Sequence, residues 1–295
     1  MPVLATPGSR LLAALGVERP LQIVGTVNAF SALQAERTGF RAIYLSGAGV
    51  SNASFGFPDL GMIGMHDVVE DIRRITGVCA LPMLVDADTG YGSALVLARA
   101  VREFERAGAA AMQIEDQVQA KRCGHRPGKA LVSTNEMCDR IKAAVDARSD
   151  DFQIMARTDA YGVEGFEPAL ERAQAYADAG ADLIFAEAMH EIDEYRRFTS
   201  SLSAPVLANI TEFGKTPLFE LSELREAGVA MALYPLTAFR AMARAAEEVY
   251  KTIRERGTQQ PMLDRMQTRD ELYDQLSYHD YERRLDELFA RERGA

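Results

Sequence analysis

The sequence predicts an α/β fold, a closed (β/α)8 TIM-type barrel, from three observations. A small residue and a glycine repeatedly precede an apolar run, other apolar runs lie between these, and amphipathic helical segments separate them. Such runs are typical of parallel strands buried on both faces, connected by right-handed helical crossovers. Eight units favour a closed barrel. A doubly wound open sheet is the alternative, although no Gly-x-Gly-x-x-Gly follows the first strand.

Eight strands and the clearest helices can be placed along the chain. Glycine favours the left-handed position just past a helix end, so four strands are expected directly after Gly39, Gly108, Gly180 and Gly228. The other four are predicted at Leu21–Gly25, Met83–Asp86, Gln153–Arg157 and Pro205–Asn209. The clearest helices are predicted at Leu95–Ala107, Met137–Ala147, Pro168–Ala179 and Leu236–Arg254.

The chain of 295 residues is expected to form one α/β-barrel domain. The barrel is placed at about residues 20–256 and a helical extension at about 257–295. A charged amphipathic helix is predicted over Asp270–Arg291, and its apolar face must be buried somewhere. Packing on a neighbouring subunit and packing on its own barrel are both open.

Charge and cysteine content exclude several classes of protein. The net charge of −10 argues against nucleic-acid and membrane partners, because like charges repel. The three cysteines form no Cys-x-x-Cys pair, so neither a disulfide framework nor a zinc site is indicated, and a reducing compartment fits best. Neither a signal peptide nor a membrane-spanning apolar run is evident, so a cytoplasmic location is expected.

Polar residues follow six of the predicted strands. In a barrel these positions converge at the C-terminal mouth, where active sites of this architecture lie. The residues are Ser46, Asp86, Asp88, Glu115, Asp116, Arg157, Asp159, Glu187, Asn209 and Thr211.

Asp86 and Asp88 are the candidate metal ligands. Side chains alternate along an extended segment, so both carboxylates are expected to point to the same side. Such a hard-oxygen site suits Mg²⁺, with Mn²⁺ as an alternative, and Asp59 and Glu115 are candidates to hold metal-bound waters. The alternative is that the two aspartates cap the following helix or bond loop amides.

A loop of about Gln117 to Val132 follows the fourth strand and contains Cys123 beside several basic residues, Lys121, Arg122, His125 and Arg126. Nearby positive charge lowers the pKa of a thiol, which can then act as a general acid–base. The loop is expected to close over substrate as a lid. The alternative is that Cys123 is a buried structural cysteine, the usual role of a free cysteine.

Further candidates would bind an anion. Ser46-Gly47-Ala48-Gly49 offers a hydroxyl and backbone N–H groups, although a plain turn is possible. Arg157 suits bidentate capture of a carboxylate, or else an internal ion pair with Asp159 or Glu187. His125 is either a donor to an oxyanion or carboxylate, or a solvent-exposed loop residue.

The chain resembles the isocitrate lyase/phosphoenolpyruvate mutase superfamily over about residues 20–289. The resemblance rests on many motifs in order: Leu21-Gln22-Ile23-Val24-Gly25-Thr26, Tyr44-Leu45-Ser46-Gly47, Pro58-Asp59-Leu60-Gly61, Asp86-Ala87-Asp88, Ile114-Glu115-Asp116-Gln117, Lys121-Arg122-Cys123-Gly124-His125, Ala156-Arg157-Thr158-Asp159, Asn209-Ile210-Thr211-Glu212 and Leu233-Tyr234-Pro235-Leu236. One departure is Ala48, which stands where a glycine is common.

The resemblance implies an Mg²⁺-dependent lyase, assembled as a homotetramer whose eighth helix is swapped between subunits. It implies catalytic roles for Tyr44, Lys121, Arg122, Cys123 and His125. It also implies substrate contacts from Ser46, Gly47, Ala48, Cys123, Gly124, Arg157, Glu187, Asn209, Ile210, Thr211, Arg240 and Arg269. The base that accepts the substrate's hydroxyl proton stays open between Tyr44 and a carboxylate network that includes Glu115.

The expected substrate is a small tricarboxylate, (2R,3S)-2-methylisocitrate, cleaved to pyruvate and succinate in the methylcitrate cycle of propionate catabolism. Superfamily members that cleave isocitrate usually carry Lys-Lys-Cys-Gly-His, whereas Arg122 matches the methylisocitrate-cleaving members, and the compact length agrees. Isocitrate and dimethylmalate are alternative substrates. A decarboxylase or phosphonate enzyme would leave Cys123 idle, and a non-catalytic metal-dicarboxylate-binding protein is the third alternative.

Overall fold

A computed structural model describes residues 5–124, 126, 128–149 and 151–293. Eight parallel strands follow one another around a closed barrel, and the eighth pairs with the first. The prediction of a closed barrel is therefore confirmed, and the open sheet is wrong. The strands are β1 (Leu21–Gly25), β2 (Ala42–Leu45), β3 (Met83–Asp86), β4 (Ala111–Glu115), β5 (Gln153–Thr158), β6 (Leu183–Ala186), β7 (Val206–Asn209) and β8 (Met231–Tyr234).

Helices precede and connect the strands. The four helices predicted from the sequence are found close to their expected bounds, and all four predicted helix-ending glycines have positive φ. The α-helices are Pro7–Val17, Ala29–Arg37, Gly47–Gly49, Met65–Thr76, Ala94–Arg106, Thr134–Ala147, Tyr161–Glu164, Phe166–Asp178, Ile192–Ser200, Leu221–Glu226, Thr237–Arg256, Arg269–Gln275 and Tyr278–Arg293. A π-helix covers Val50–Ser54 and a 3₁₀-helix covers Gln260–Arg265.

Two apolar clusters hold the barrel together. Strand side chains alternate between them, as the period of two requires: Leu183 and Phe185 belong to one cluster, and Ile184 to the other. The cluster that contains Leu183 also includes Leu11 and Leu15 of the first helix, whereas the cluster of Ile184 includes residues of the surrounding helices. This packing fixes the strand ends that carry the polar residues.

Contacts divide the chain into two compact units, and the boundary between them falls at Phe239 and Arg240. That boundary lies inside the helix Thr237–Arg256, which has no buried residue. The organisation expected from the sequence, one domain with a barrel to about residue 256, stays a prediction.

The prediction of a single helix over Asp270–Arg291 is wrong. Two helices cover this region, and Ser277 between them has a φ of 53°, in the left-handed region that interrupts a right-handed helix. The N–H of Ser277 donates to the carbonyl of Asp274, which closes the first of the two helices. The apolar side chains Leu276, Leu285 and Phe289 of this segment are more than two-fifths exposed in the single chain.

Within the described residues, no helix has the length and apolar character needed to cross a membrane.

Candidate active site

The polar residues predicted at the strand ends lie together at the C-terminal mouth of the barrel. They are held there because parallel strands of a closed barrel all end on one face. The structure buries them, with no more than 9% of any residue exposed: Ser46, Asp86, Asp88, Glu115, Asp116, Arg157, Asp159, Glu187, Asn209 and Thr211.

Asp86 and Asp88 form a carboxylate pair at the end of β3. Asp86 Oδ1 accepts from the N–H of Asp88 (3.1 Å), and Asp88 has a φ of 47°. The prediction that Asp86 and Asp88 lie on an extended segment is therefore wrong. The chain turns at Asp88, because the Asp86 side chain accepts a hydrogen bond from the Asp88 amide. Both carboxylates still face Gly47, where a Cβ would lie 3.1 Å from Asp88 Oδ1 and 3.2 Å from Asp86 Oδ2.

The segment after β2 is a short helix, Gly47–Gly49. The N–H of Gly47 donates to Asp86 Oδ2 (3.0 Å). This amide therefore binds a carboxylate of the protein, whereas the sequence predicted that it would bind an anionic ligand. Ser46 is buried at the start of the helix and Ala48 is partly buried within it. Contact of these residues with a substrate stays a prediction.

Lys121 joins the loop to the carboxylate pair. Its ammonium lies 2.8 Å from Asp88 Oδ1 and donates to Asp59 Oδ1. Burial, followed by the charge of Asp86, raises the pKa of Asp88 to about 6, although Lys121 opposes the shift. Burial lowers the pKa of Lys121, but Asp88 and the other nearby carboxylates outweigh it and hold the ammonium charged.

Arg157 is the centre of a buried ion-pair cluster. Its Nε and Nη2 donate to the two oxygens of Asp159 at 3.0 and 3.2 Å, which is the internal pairing left open by the sequence. Glu115 Oε2 lies 3.4 Å from Nε, and Glu187 Oε1 lies 3.8 Å from Nη2. The guanidinium also lies over the ring of Phe185, 5.1 Å from its centroid.

Besides Asp88 Oδ1, which has its ion pair with Lys121, two buried carboxylate or amide oxygens at the mouth have no hydrogen-bond partner among the residues that the structure describes. They are Glu115 Oε1 and Asn209 Oδ1, while Asn209 Nδ2 donates to Glu187 Oε2 (3.2 Å). Burial raises the pKa of Glu115 well above its usual range, despite the neighbouring Arg157. Because buried polar atoms are rarely left unpaired, these oxygens mark positions where a ligand or water can bond.

Gln113 is a site residue that the sequence analysis missed. Tyr44 donates its hydroxyl to Gln113 Oε1 (2.7 Å), and Gln113 Nε2 donates to Asp86 Oδ1 (3.2 Å). Burial, and then the charge of Asp86, raises the pKa of Tyr44 well above its usual range. The hydroxyl is therefore a neutral donor near pH 7. One signal for Gln113 was available: it is a polar residue with apolar neighbours on both sides within β4.

The loop that carries Cys123 folds back on the end of β4. Gln117 grips the backbone of Arg122, since Nε2 donates to its carbonyl (2.8 Å) and Oε1 accepts from its N–H (2.9 Å). Cys123 is exposed and lines a cavity of about 480 Å³, so the expectation of a buried structural cysteine is wrong. The other lining residues are Pro58, Asp59, Leu60, Arg122 and Arg126.

Gly124 brings the loop against the strand ends. A Cβ at this position would lie 2.3 Å from Arg157 Nη2 and 2.4 Å from Glu187 Oε1, so only a glycine allows this approach. His125, the predicted donor to an oxyanion, lies outside the described residues.

Three further predicted contact residues lie on other segments. Ile210 is buried after β7, where its N–H donates to the carbonyl of Leu233 (2.8 Å). Arg240 and Arg269 belong to the second unit, in helices Thr237–Arg256 and Arg269–Gln275. Their contact with substrate stays a prediction.

The carboxylates do not form a closed protein cage for a metal. Among the described residues, no three His, Cys, Asp or Glu side chains are grouped as ligands of one ion. Mg²⁺ does not need such a cage, because it typically takes one or two carboxylates and completes its shell with water and substrate oxygens.

Comparison with known proteins decides the family. The family model for phosphoenolpyruvate phosphomutase matches residues 12–254. The chain belongs to the phosphoenolpyruvate mutase/isocitrate lyase superfamily. A 2-methylisocitrate lyase from Escherichia coli (strain K12) is 61% identical over 290 residues, covering 98% of each chain.

Solved structures of the superfamily share the fold. A 2,3-dimethylmalate lyase has a TM-score of 0.88 at 34% identity and covers 95% of each chain. A phosphonopyruvate hydrolase in complex with oxalate and Mg²⁺ has a TM-score of 0.83 at 29% identity, covering 94% of this chain and 97% of that one. The resemblance stated from the sequence motifs is confirmed, and the chain is an enzyme of this superfamily.

Proposed function

We propose that the chain cleaves the C2–C3 bond of (2R,3S)-2-methylisocitrate to give pyruvate and succinate, the lyase step of the methylcitrate cycle in propionate catabolism. One observation carries the proposal: the exposed thiol of Cys123 lies beside Gly124, which contacts the buried Arg157 and Glu187 at the mouth. The loop that carries it has Arg122. The similarity to a 2-methylisocitrate lyase along nearly the whole chain supports the choice of substrate.

Mg²⁺ is the proposed cofactor, with Mn²⁺ as a substitute of the same ligand preference. Asp86 and Asp88 would hold the ion, and Asp59 and Glu115 would hold its waters. The raised pKa values of Asp88 and Glu115 and the partnerless Glu115 Oε1 support a cation here, since buried acidic groups crowd this side of the mouth. The related phosphonopyruvate hydrolase binds Mg²⁺ with oxalate. When bound, Mg²⁺ acts as a Lewis acid and lowers the pKa of a substrate hydroxyl.

Binding and orientation fall to the buried donors of the mouth. Arg157 and Asn209 carry N–H groups at strand ends, and Thr211 adds a hydroxyl, so together they suit the carboxylates of a tricarboxylate. The side chains of Arg157 and Asn209 are held by neighbouring carboxylates, since Arg157 donates to Asp159 and Asn209 donates to Glu187. Preorganised donors stabilise the negative charge that develops as the bond breaks.

Two proton movements complete the reaction. The base takes the proton of the 2-hydroxyl, the C2–C3 bond breaks, and its electron pair remains on the succinate half as an enediolate. Cys123 then gives its thiol proton to that carbon, which yields succinate and leaves a thiolate that solvent reprotonates. Glu115 suits the base better than Tyr44, because the Tyr44 hydroxyl already donates its proton to Gln113, whereas Glu115 Oε1 has no hydrogen-bond partner among the described residues.

The proposed assembly is a homotetramer in the cytoplasm. Exposed apolar side chains in the second unit, among them Leu285, Leu288 and Phe289, support packing against another copy of the chain. The three cysteines are all free, which suits a reducing compartment. Light scattering on the purified chain tests the assembly: a tetramer mass is expected, and a monomer mass would contradict it.

Initial rates on a panel of substrates test the function. Purified protein with Mg²⁺ receives 2-methylisocitrate, isocitrate or 2,3-dimethylmalate, and pyruvate or glyoxylate is detected. We expect the highest kcat/KM with 2-methylisocitrate and loss of the rate with EDTA, restored by Mg²⁺. A higher kcat/KM with isocitrate or dimethylmalate would overturn the proposal that 2-methylisocitrate is the substrate. Binding of these compounds without product formation would favour a non-catalytic protein.

A further inference from the structure

We propose that Lys129 is a positioning residue that holds the Cys123 loop against the barrel mouth. Its ammonium donates to the carbonyl of Gly124 (2.7 Å) and to Asp159 Oδ1 (2.7 Å). Only 3% of the Lys129 side chain is exposed. Lys129 lies six positions after Cys123, and no sequence motif indicated a role for it.

Asp159 is a fixed anchor for this ammonium. Its carboxylate is fully buried and already binds Arg157 through both oxygens. Its N–H donates to Asp116 Oδ1 (2.9 Å), which ties it to the end of β4. Although burial raises the pKa of Asp159, Arg157 and Lys129 lower it to about 2, so the anchor stays ionised at neutral pH.

The other end of the bridge is the residue directly after Cys123. Gly124 lies against Arg157 and Glu187 with no room for a Cβ, so the Lys129 bond acts on the backbone where the loop enters the site. Gln117 holds the residue directly before Cys123 through the two bonds to the Arg122 backbone. The thiol is therefore fixed on both sides, by Gln117 towards β4 and by Lys129 towards β5.

A buried ammonium is costly unless it is paired and hydrogen-bonded, and Lys129 is paired with Asp159. Removing its charge would leave the Gly124 carbonyl without this donor, while Arg157 would still neutralise Asp159. The loop would then lose the Lys129 link between Gly124 and Asp159, which follows β5, but the substrate-binding groups would keep their own partners. Loss of Lys129 should therefore impair catalysis more than substrate binding.

Proteolysis of the folded protein tests the positioning independently of any activity. Lys129→Met, Lys129→Arg and Lys142→Met are compared with the unaltered chain. Lys142 is a matched control, because it is exposed and its 3.8 Å ion pair with Asp139 lies on the helix Thr134–Ala147. Trypsin is added at low concentration, and mass spectrometry measures cleavage of the Arg122–Cys123 bond.

We expect Lys129→Met to be cut several-fold faster at this bond, Lys129→Arg to lie between it and the unaltered chain, and Lys142→Met to behave as the unaltered chain. Thermal unfolding confirms that each variant is folded. Equal cleavage rates in a folded Lys129→Met would overturn the proposal. If Lys129→Met does not fold, Lys129→Arg decides, since it keeps the charge but alters the geometry of both bonds.

The expected changes in kcat and KM rest on the proposed lyase function. In Lys129→Met, kcat should fall roughly 10²-fold, the loss typical of a small displacement of a catalytic group, while KM changes much less. Partial rescue by Lys129→Arg is expected. A raised KM with unchanged kcat would overturn the positioning role. An inactive unaltered chain would instead contradict the lyase function, and proteolysis would still test Lys129.

Discussion

The strand ends and the Cys123 loop contribute to the site in different ways. At the strand ends, Glu115, Arg157 and Glu187 are buried and bound to residues on neighbouring strands. In the loop, Arg122 and Cys123 are exposed, and a few side-chain bonds from Gln117, Lys121 and Lys129 hold the segment. Buried strand ends thus meet a more exposed loop, and the closure of this loop over substrate as a lid stays a prediction.

Asp86→Asn should have the largest effect, because it weakens the proposed metal site at the strand ends. Loss of several kcal/mol of transition-state stabilisation corresponds to a fall in kcat/KM of roughly 10⁴-fold. Isothermal titration with Mn²⁺ should show weakened metal binding. Asp139→Asn is the control, since this carboxylate is exposed and its ion pair with Lys142 is long, at 3.8 Å. Unchanged metal binding in Asp86→Asn would remove Asp86 from the metal site.

Cys123→Ser tests the loop side of the comparison. Serine keeps the size of the side chain but is a much weaker acid, so turnover should fall roughly 10³-fold, within the range for general acid–base catalysis. Mn²⁺ binding should be unchanged, because the strand-end carboxylates are untouched. Cys138→Ser is the control on a cysteine of the helix Thr134–Ala147. Normal turnover in Cys123→Ser would contradict the acid role.

Gly124→Ala tests the contact between the two regions. The added Cβ would lie 2.3 Å from Arg157 Nη2, so the loop or the guanidinium must shift, and kcat should fall roughly 10²-fold. Gly16→Ala is a matched control, because a Cβ there meets nothing within 4 Å and the helix favours alanine. Equal rates for the two variants would show that the close contact at Gly124 does not matter for turnover.

Tyr176→Phe should affect stability at the strand ends and have little effect on turnover. Its buried hydroxyl donates to Asp116 Oδ2 (2.9 Å) and accepts from Arg172 (3.2 Å), beneath the end of β4. Loss of a hydrogen bond to a charged group lowers the free energy of unfolding by about 1.5–3 kcal/mol. Urea unfolding measures the change, and an unaltered midpoint would contradict the importance of this bond.

The fold could be predicted because its signals are local and repeated. Eight apolar runs and the glycines after helices follow from burial on two faces and from backbone sterics, so the barrel was predictable without contacts. The break at Ser277 was not, because a serine in the left-handed conformation leaves no clear sequence signal.

The sequence predicted which residues form the site better than it predicted which of them are joined by hydrogen bonds and ion pairs. Strand ends indicated Asp86 and Arg157, but pairing across strands depends on barrel register. The bridges through Gln113 and Lys129 join residues 27 and 30 positions apart, and neither has a periodic signal. The turn at Asp88 also escaped prediction, since a side-chain bond to its amide competed with the extended strand.

Proton exchange into succinate tests the central claim most directly. Succinate, pyruvate and Mg²⁺ are incubated with the enzyme in D₂O, and deuterium at the succinate methylene carbons is measured by nuclear magnetic resonance. The unaltered chain should incorporate deuterium, and Cys123→Ser should not, because in the proposed mechanism the Cys123 thiolate removes this proton in the reverse direction. Exchange by Cys123→Ser at the unaltered rate would contradict the division between strand ends that bind and a loop thiol that transfers the proton.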